Sequence, residues 1–311
     1  MKQKTILVVQ GGVSSEREVS LNSGKACVKA LKKLKYRVIL FDPAKKKLSK
    51  INQYKKKINL IFNALHGRDG EDGVAQSYFE YFRIPYTHSG ITSSMNAMDK
   101  IISKQIFKKK KILTPNYIAL NSVNYKKFLE KKSLTISNFN YPMVVKPSNE
   151  GSSIGVKICK NYKQLKKSIV ELIKKHKTLI IENYIAGQEI QVAVLDGKAL
   201  GAIELKPKRK FYDYKAKYSK TALTKHIMPA SINKINYKTV LQLAEKAHIA
   251  LNCKGVTRSD FKLINNKFYL LEVNTQPGMT GLSLVPEIAK HVGINFNELV
   301  KKIIDSASIN R

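Results

Sequence analysis

The chain has no tryptophan, only 3 cysteines and only 22 acidic residues against 57 lysines and arginines, in 311 residues. Each scarcity excludes something. Cys27, Cys159 and Cys253 are odd in number and far apart, so they form neither a disulfide framework nor a zinc spacing. Their pattern predicts a reducing, cytoplasmic setting. No stretch approaches the roughly 18 apolar residues of a transmembrane helix, which argues against a membrane partner. The first apolar run, residues 5–9, is too short for a signal peptide and is followed by no small-residue cleavage site. Arginine is scarce as well, at 7 of the 57 basic residues. Base readout leans on the arginine fork, so a net charge of +35 carried mostly by lysine argues against specific nucleic-acid binding. That reading survives only as a remote alternative resting on charge. The lysines cluster at 45–47, 55–57, 108–111 and 174–175, on candidate loops and polar helix sides. They predict a solvated basic surface that attracts anionic ligands.

What is present is a globular composition, 43% hydrophobic, long enough for two or three small domains. Strands are expected at 5–9, 37–41 and 58–64. A helix is expected to about residue 34, opened by a Ser15/Glu18 capping box, and another over 73–81. Strands alternating with helices predict a parallel sheet, with ligands at the strands' carboxyl ends. Gly11-Gly12 and His66-Gly67 lie at such ends. A second block starts near Met98 with a helix through residue 111, strands around 116–119, 141–147 and 178–182, and a helix over 162–175. A third, β-rich block starts near 187. It has a long loop over 206–225, a helix over 236–251 and strands at 255–264 and 267–274. The stretch 133–140 carries no motif.

Two constellations bear chemistry. Residues 149–155, Asn-Glu-Gly-Ser-Ser-Ile-Gly, form a loop whose amides and hydroxyls suit an anion, although a plain hairpin loop fits the same pattern. Lys146 directs a cation to the same place. Glu272 and Asn274 share one side of a strand, and Asp260 stands on the strand before it. Such oxygen donors suit Mg²⁺, while a solvent-facing polar side is the competing reading. Arg258 shares the parity of Asp260, as a cation for developing negative charge or as one half of a surface salt bridge.

Six motifs occur in order: residues 11–20 (GGVSSEREVS), 64–73 (ALHGRDGEDG), 98–100 (MDK), 145–153 (VKPSNEGSS), 211–218 (FYDYKAKY) and 272–280 (EVNTQPGMT). Together they resemble the D-alanine–D-alanine ligase family of the ATP-grasp superfamily over nearly the whole chain. The resemblance implies an α/β, three-domain ATP-grasp architecture. Residues 1–97 would form an N-terminal Rossmann-like, parallel-sheet substrate domain, 98–186 a central subdomain, and 187–311 a C-terminal subdomain with the metal site. It implies ATP-dependent joining of two D-alanine molecules through an acyl phosphate, for peptidoglycan synthesis. Another ATP-grasp ligase, with a different amino acid or D-lactate as acceptor, is the alternative.

By the same resemblance Lys100, Lys146 and Lys217 hold phosphates, and Ser152 and Ser153 lie in the loop that closes over them. Glu182 and the backbone at Ile185 hold adenine, and Glu189 holds the ribose. Asp260, Glu272 and Asn274 hold two Mg²⁺ ions, with Mn²⁺ as a substitute. Arg258 and the Gly278 N–H stabilise the tetrahedral oxyanion. Glu16 receives the first D-alanine's ammonium, with His66 nearby, and Ser283 with the backbone at Leu284 receives the second one's carboxylate. Tyr218 bonds the Ser152–Glu16 pair and favours dipeptide over depsipeptide. Asn183 departs from the charged residue of many relatives. A homodimer is the family expectation.

Overall fold

The computed structural model describes residues 3–130, 139–206 and 224–311. The first block is built on three parallel strands: β1 (Thr5–Val9), β2 (Arg37–Phe41) and β3 (Leu60–Asn63), in the order β2-β1-β3. β1 and β3 are buried on both faces, which their continuous apolar runs require. Helix α1 (Arg17–Lys33) follows β1. The expected Ser15/Glu18 box does not form. Glu16 occupies the N-cap position without a side-chain cap, and Ser14 Oγ meets the Glu16 N–H at 3.2 Å. Helix α2 (Val74–Tyr81) begins after Gly73, as expected. The helix expected from about 98 to 111 is α4 (Lys100–Lys109), and a further helix that was not expected, α3 (Ile91–Met98), precedes it. Asp99 separates the two, extended at ψ 104°, and caps α4 by accepting from the Ile101 and Ile102 amides.

A four-stranded antiparallel sheet follows, in the order β4-β7-β5-β6, from β4 (Tyr117–Asn121), β5 (Met143–Pro147), β6 (Lys157–Cys159) and β7 (Thr178–Asn183). Between β4 and β5 lies the short α5 (Tyr125–Glu130), in a stretch expected to be merely polar. Helix α6 (Tyr162–Ile173) packs on this sheet through Leu165, Ile169 and Leu172. Their i, i+4, i+7 spacing is one helical face.

The third block is a five-stranded antiparallel sheet. β8 (Gln188–Leu195), β9 (Lys198–Lys206), β10 (Lys225–Ile227), β11 (Val256–Ile264) and β12 (Lys267–Asn274) run in the order β10-β9-β8-β11-β12. One face packs against α7 (Lys234–Ala250) and Phe107 of α4. The other packs, through Ala193, Ile203 and Val256, into a core shared with Ile6, Val8 and Leu31 of the first block. The same core takes α8 (Leu284–His291) and α9 (Phe296–Asp305). The first and third blocks are thus locked face to face, and the middle sheet has its own core.

Candidate active site

The two antiparallel sheets face each other across a cleft of about 830 Å³. Val144 and Lys146 of β5 and Val156, just before β6, line it on one side, and Lys262, Leu271 and Glu272 of the third block on the other. A neighbouring cavity of about 520 Å³ is lined by Glu16, Gly151, Ser152, Arg258 and Asn274. Lys100 and Glu272 line both, so the two spaces meet at this pair, whose charged atoms are 3.4 Å apart.

The cleft's cations are held in a fixed arrangement. Glu182, at the end of β7, is buried between Lys146 at 2.8 Å and Lys104 at 2.9 Å. Burial opposes the charge of Glu182, but the two ammonium groups hold its carboxyl below the ordinary value. Burial pushes Lys104 down to about 8, partly offset by Glu182. Lys100 begins α4, and its Nζ donates to the Glu150 carbonyl at 2.6 Å, tying the helix to the 149–155 loop. In that loop Ser152 (φ 49°) and Ser153 (φ 61°) are both left-handed, at a cost of ~1–2 kcal/mol each. Such strain collects at functional loops. Ser152 Oγ donates to Glu16 Oε1, which ties the loop to the entry of α1. Gly67 must be glycine here: at φ +69° a Cβ would lie 2.8 Å from Glu16 Oε2.

Register places the carboxylates. Asp260 pairs with Glu272, and Arg258 with Asn274, across β11 and β12. Arg258 donates from Nε and Nη2 to the two oxygens of Asp260, at 2.7 and 2.9 Å. The competing reading of Arg258 as a surface pair fails, because both residues are largely buried, Arg258 at the cavity wall and Asp260 at the cleft wall. Asn274 Oδ1 accepts the Gln276 N–H at 2.8 Å, turning the chain at the strand end. Asp260, Glu272 and Asn274 bring two carboxylates and a carboxamide to one end of the strand pair, a hard-oxygen donor set that fits Mg²⁺.

The remaining expected residues divide. Glu189 lines the cleft, where Lys262 Nζ donates to it at 3.0 Å. Ile185 lies in the cleft wall beside Asn183 and Tyr184. His66 is buried between Glu71 and Ser23, at 3.0 and 3.1 Å. Ser283 sits at the N-terminus of α8, and its Oγ accepts the Thr280 N–H at 2.9 Å. Leu284 is buried in the core, with its backbone at the first turn of α8. A Cβ on Gly278 would meet Ser283 Oγ at 2.8 Å, so a larger residue here would have to displace that hydroxyl. Lys217 and Tyr218 lie outside the described residues. Lys104 and Lys262 were missed by sequence reasoning. Among so many lysines nothing local marks them, although Lys104 follows Lys100 by one helical turn and so shares its face.

The family profile described as "D-ala D-ala ligase C-terminus" matches residues 106–305. A D-alanine–D-alanine ligase of Pelagibacter ubique is 52% identical over 99% of each chain. The crystal structure of D-alanine–D-alanine ligase from Bacillus anthracis complexed with ATP superposes with a TM-score of 0.83, at 31% identity and 97% coverage of both chains. That of the VanG D-Ala:D-Ser ligase from Enterococcus faecalis does so with a TM-score of 0.85, at 26% identity, covering 98% of this chain and 99% of that one. This chain belongs to the D-alanine–D-alanine ligase family and has its ATP-grasp fold.

Proposed function

We propose that this protein is an ADP-forming ligase that joins two D-alanines into D-alanyl-D-alanine for peptidoglycan synthesis. One observation carries the mechanism: the cleft between the two sheets and the smaller polar cavity meet at Lys100 and Glu272. A γ-phosphoryl group at that junction would be within reach of a carboxylate held beside Glu16. ATP use is supported by the ATP-bound relative of the same fold.

The roles follow from charge. Adenine lies against the 182–185 segment through its backbone, because the Glu182 carboxylate is engaged by two lysines. Lys100, Lys146 and Lys217 balance the phosphates, and Glu189 takes the ribose hydroxyls. Asp260, Glu272 and Asn274 would hold Mg²⁺, which neutralises charge on the transferring phosphoryl. Glu16 binds the ammonium of the first D-alanine, whose carboxylate takes the phosphoryl group. Ser283 and the Leu284 backbone receive the carboxylate of the second, whose amine attacks the acyl phosphate. Arg258 and the Gly278 N–H stabilise the oxyanion of the tetrahedral intermediate, which collapses to dipeptide and phosphate. Tyr218, by its resemblance to the family's tyrosine, disfavours D-lactate. The first block carries the amino acid, and the other two grasp the nucleotide.

A cytoplasmic, homodimeric enzyme belongs to the same reading. No helix among the described residues is long and apolar enough to cross a membrane, and light scattering reads the dimer. The test of function is ADP release against a panel of D-alanine, D-serine, D-lactate and L-alanine, with products identified by mass. The reading predicts release dependent on D-alanine, with the dipeptide as the main product. No D-alanine-dependent release overturns it.

A further inference from the structure

We infer that Ser23 is a positioning residue for the oxyanion loop, and that His66 and Glu71 act through it. Ser23 lies in α1, almost fully buried. Its Oγ accepts the Met279 N–H at 3.1 Å, across 256 residues of chain. The same Oγ is 3.1 Å from His66 Nε2, and His66 Nδ1 is 3.0 Å from Glu71 Oε1.

Ser23 Oγ accepts the Met279 N–H and still has a proton and a lone pair for His66, so the line is satisfied both by a neutral imidazole that donates from Nδ1 to Glu71 and by a protonated one that donates from both nitrogens. A buried line of this kind rigidifies what it ends on. It ends on the peptide joining Gly278 to Met279. Thr280 is fixed next to it by Ser283, and Gln276 by Asn274, so the residues flanking Gly278 are anchored from the first and third blocks together. Glycine is the residue least able to hold its own torsions, so its N–H is aimed by these anchors. His66 thereby contributes without needing to touch substrate.

The inference deepens the proposed function and rests on it. In Ser23→Ala the Met279 N–H loses its acceptor, and kcat is expected to fall by at least about tenfold and on the order of 100-fold at most, the scale of a small misplacement. KM for ATP is expected to stay within about twofold, because among the described residues none of Ser23, His66, Glu71 and Met279 lines the cleft. The affinity for a tetrahedral phosphinate dipeptide analogue is expected to fall in parallel with kcat. His66→Gln is expected to produce a similar loss, and the double variant to be no worse than the poorer single one. A general loosening of the fold would instead move ATP KM and thermal midpoint together. If Ser23→Ala does not fold, Ser23→Cys, a much weaker acceptor, is read by the same criteria. Unchanged kcat in an active wild-type background overturns the inference, as does an additive double variant or an equal loss of ATP affinity. A wild type inactive with D-alanine instead overturns the functional reading beneath it.

Discussion

Arg258 clamps Asp260 from two positions earlier on the same strand, through two hydrogen bonds of 2.7 and 2.9 Å. Alternation along β11 puts both side chains on one face, and the planar guanidinium matches the carboxylate edge to edge. The cation assigned to the oxyanion is therefore oriented by a residue assigned to the metal.

Arg258→Ala is expected to lower kcat by about 10²–10³, the scale for losing one oxyanion donor. KM for ATP should change little, because the interaction develops in the transition state. Arg258→Lys should recover little, since a lysine cannot make the paired contact with Asp260. Steady-state kinetics in both substrates checks this. Wild-type kcat in Arg258→Ala removes the arginine from the reaction.

ATP binding is expected to weaken at alkaline pH through Lys104. Its ammonium shares Glu182 with Lys146, so on the proposed phosphate role of Lys146 it leaves that lysine a net attraction for phosphate. Burial lowers Lys104 to about 8, so above that pH it is neutral and Glu182 cancels Lys146 more fully. KM for ATP should rise as pH passes about 8. Lys104→Met should show the raised KM already at neutral pH and lose that limb. Parallel KM profiles in the two proteins would refute the assignment.

Glu272→Gln should raise the Mg²⁺ concentration needed for half-maximal rate, by about tenfold or more, because it replaces a charged donor with a neutral one. Titration of rate with Mg²⁺ at saturating ATP measures it. An unshifted curve removes Glu272 from the donor set.

Acid should destabilise the fold through two buried histidines. Burial, reinforced by Arg311, lowers His88 to about 3, and burial lowers His248 to about 4. Below the ordinary value of about 6.5, the unfolded chain takes up protons that the folded chain refuses. Stability therefore falls with falling pH from about 6.5 toward these values, by about 1.4 kcal/mol per pH unit for each proton. Urea unfolding between pH 7 and 4.5 should show this slope, reduced in His88→Gln. A pH-independent midpoint would contradict it.

The legible parts of the chain were those where local pattern and glycine or proline punctuation agree. β1, β2 and β12 begin and end where the apolar runs do, and Asp260, Glu272 and Asn274 assemble through strand register alone. Helix α3 went unread because its eight residues, Ile91–Met98, include Thr92, Ser93, Ser94 and Asn96, which break up any apolar pattern. The 3₁₀ stretch Leu48–Lys57, which buries only Ile51, offers too weak an apolar pattern to read. Helices α8 and α9 went unread, although Asn295 and Glu298 form a full capping box before Leu299, Val300, Ile303 and Ile304. The Ser23–Met279 contact could not be read at all, since its partners are joined only by the packing of the first block on the third. Lysine abundance likewise hid Lys104, whose buried place depends on the distant Glu182.

The central claim is that a D-alanine carboxylate takes the γ-phosphoryl group where the two cavities meet. It is tested most directly by supplying D-alanine with both carboxylate oxygens as ¹⁸O, together with ATP and Mg²⁺. An acyl phosphate bonded through a carboxylate oxygen must, on attack by the second amine, leave that oxygen on the released phosphate. The account predicts one ¹⁸O per phosphate and one retained in the new peptide carbonyl. Dipeptide formed alongside phosphate that carries no ¹⁸O would contradict it.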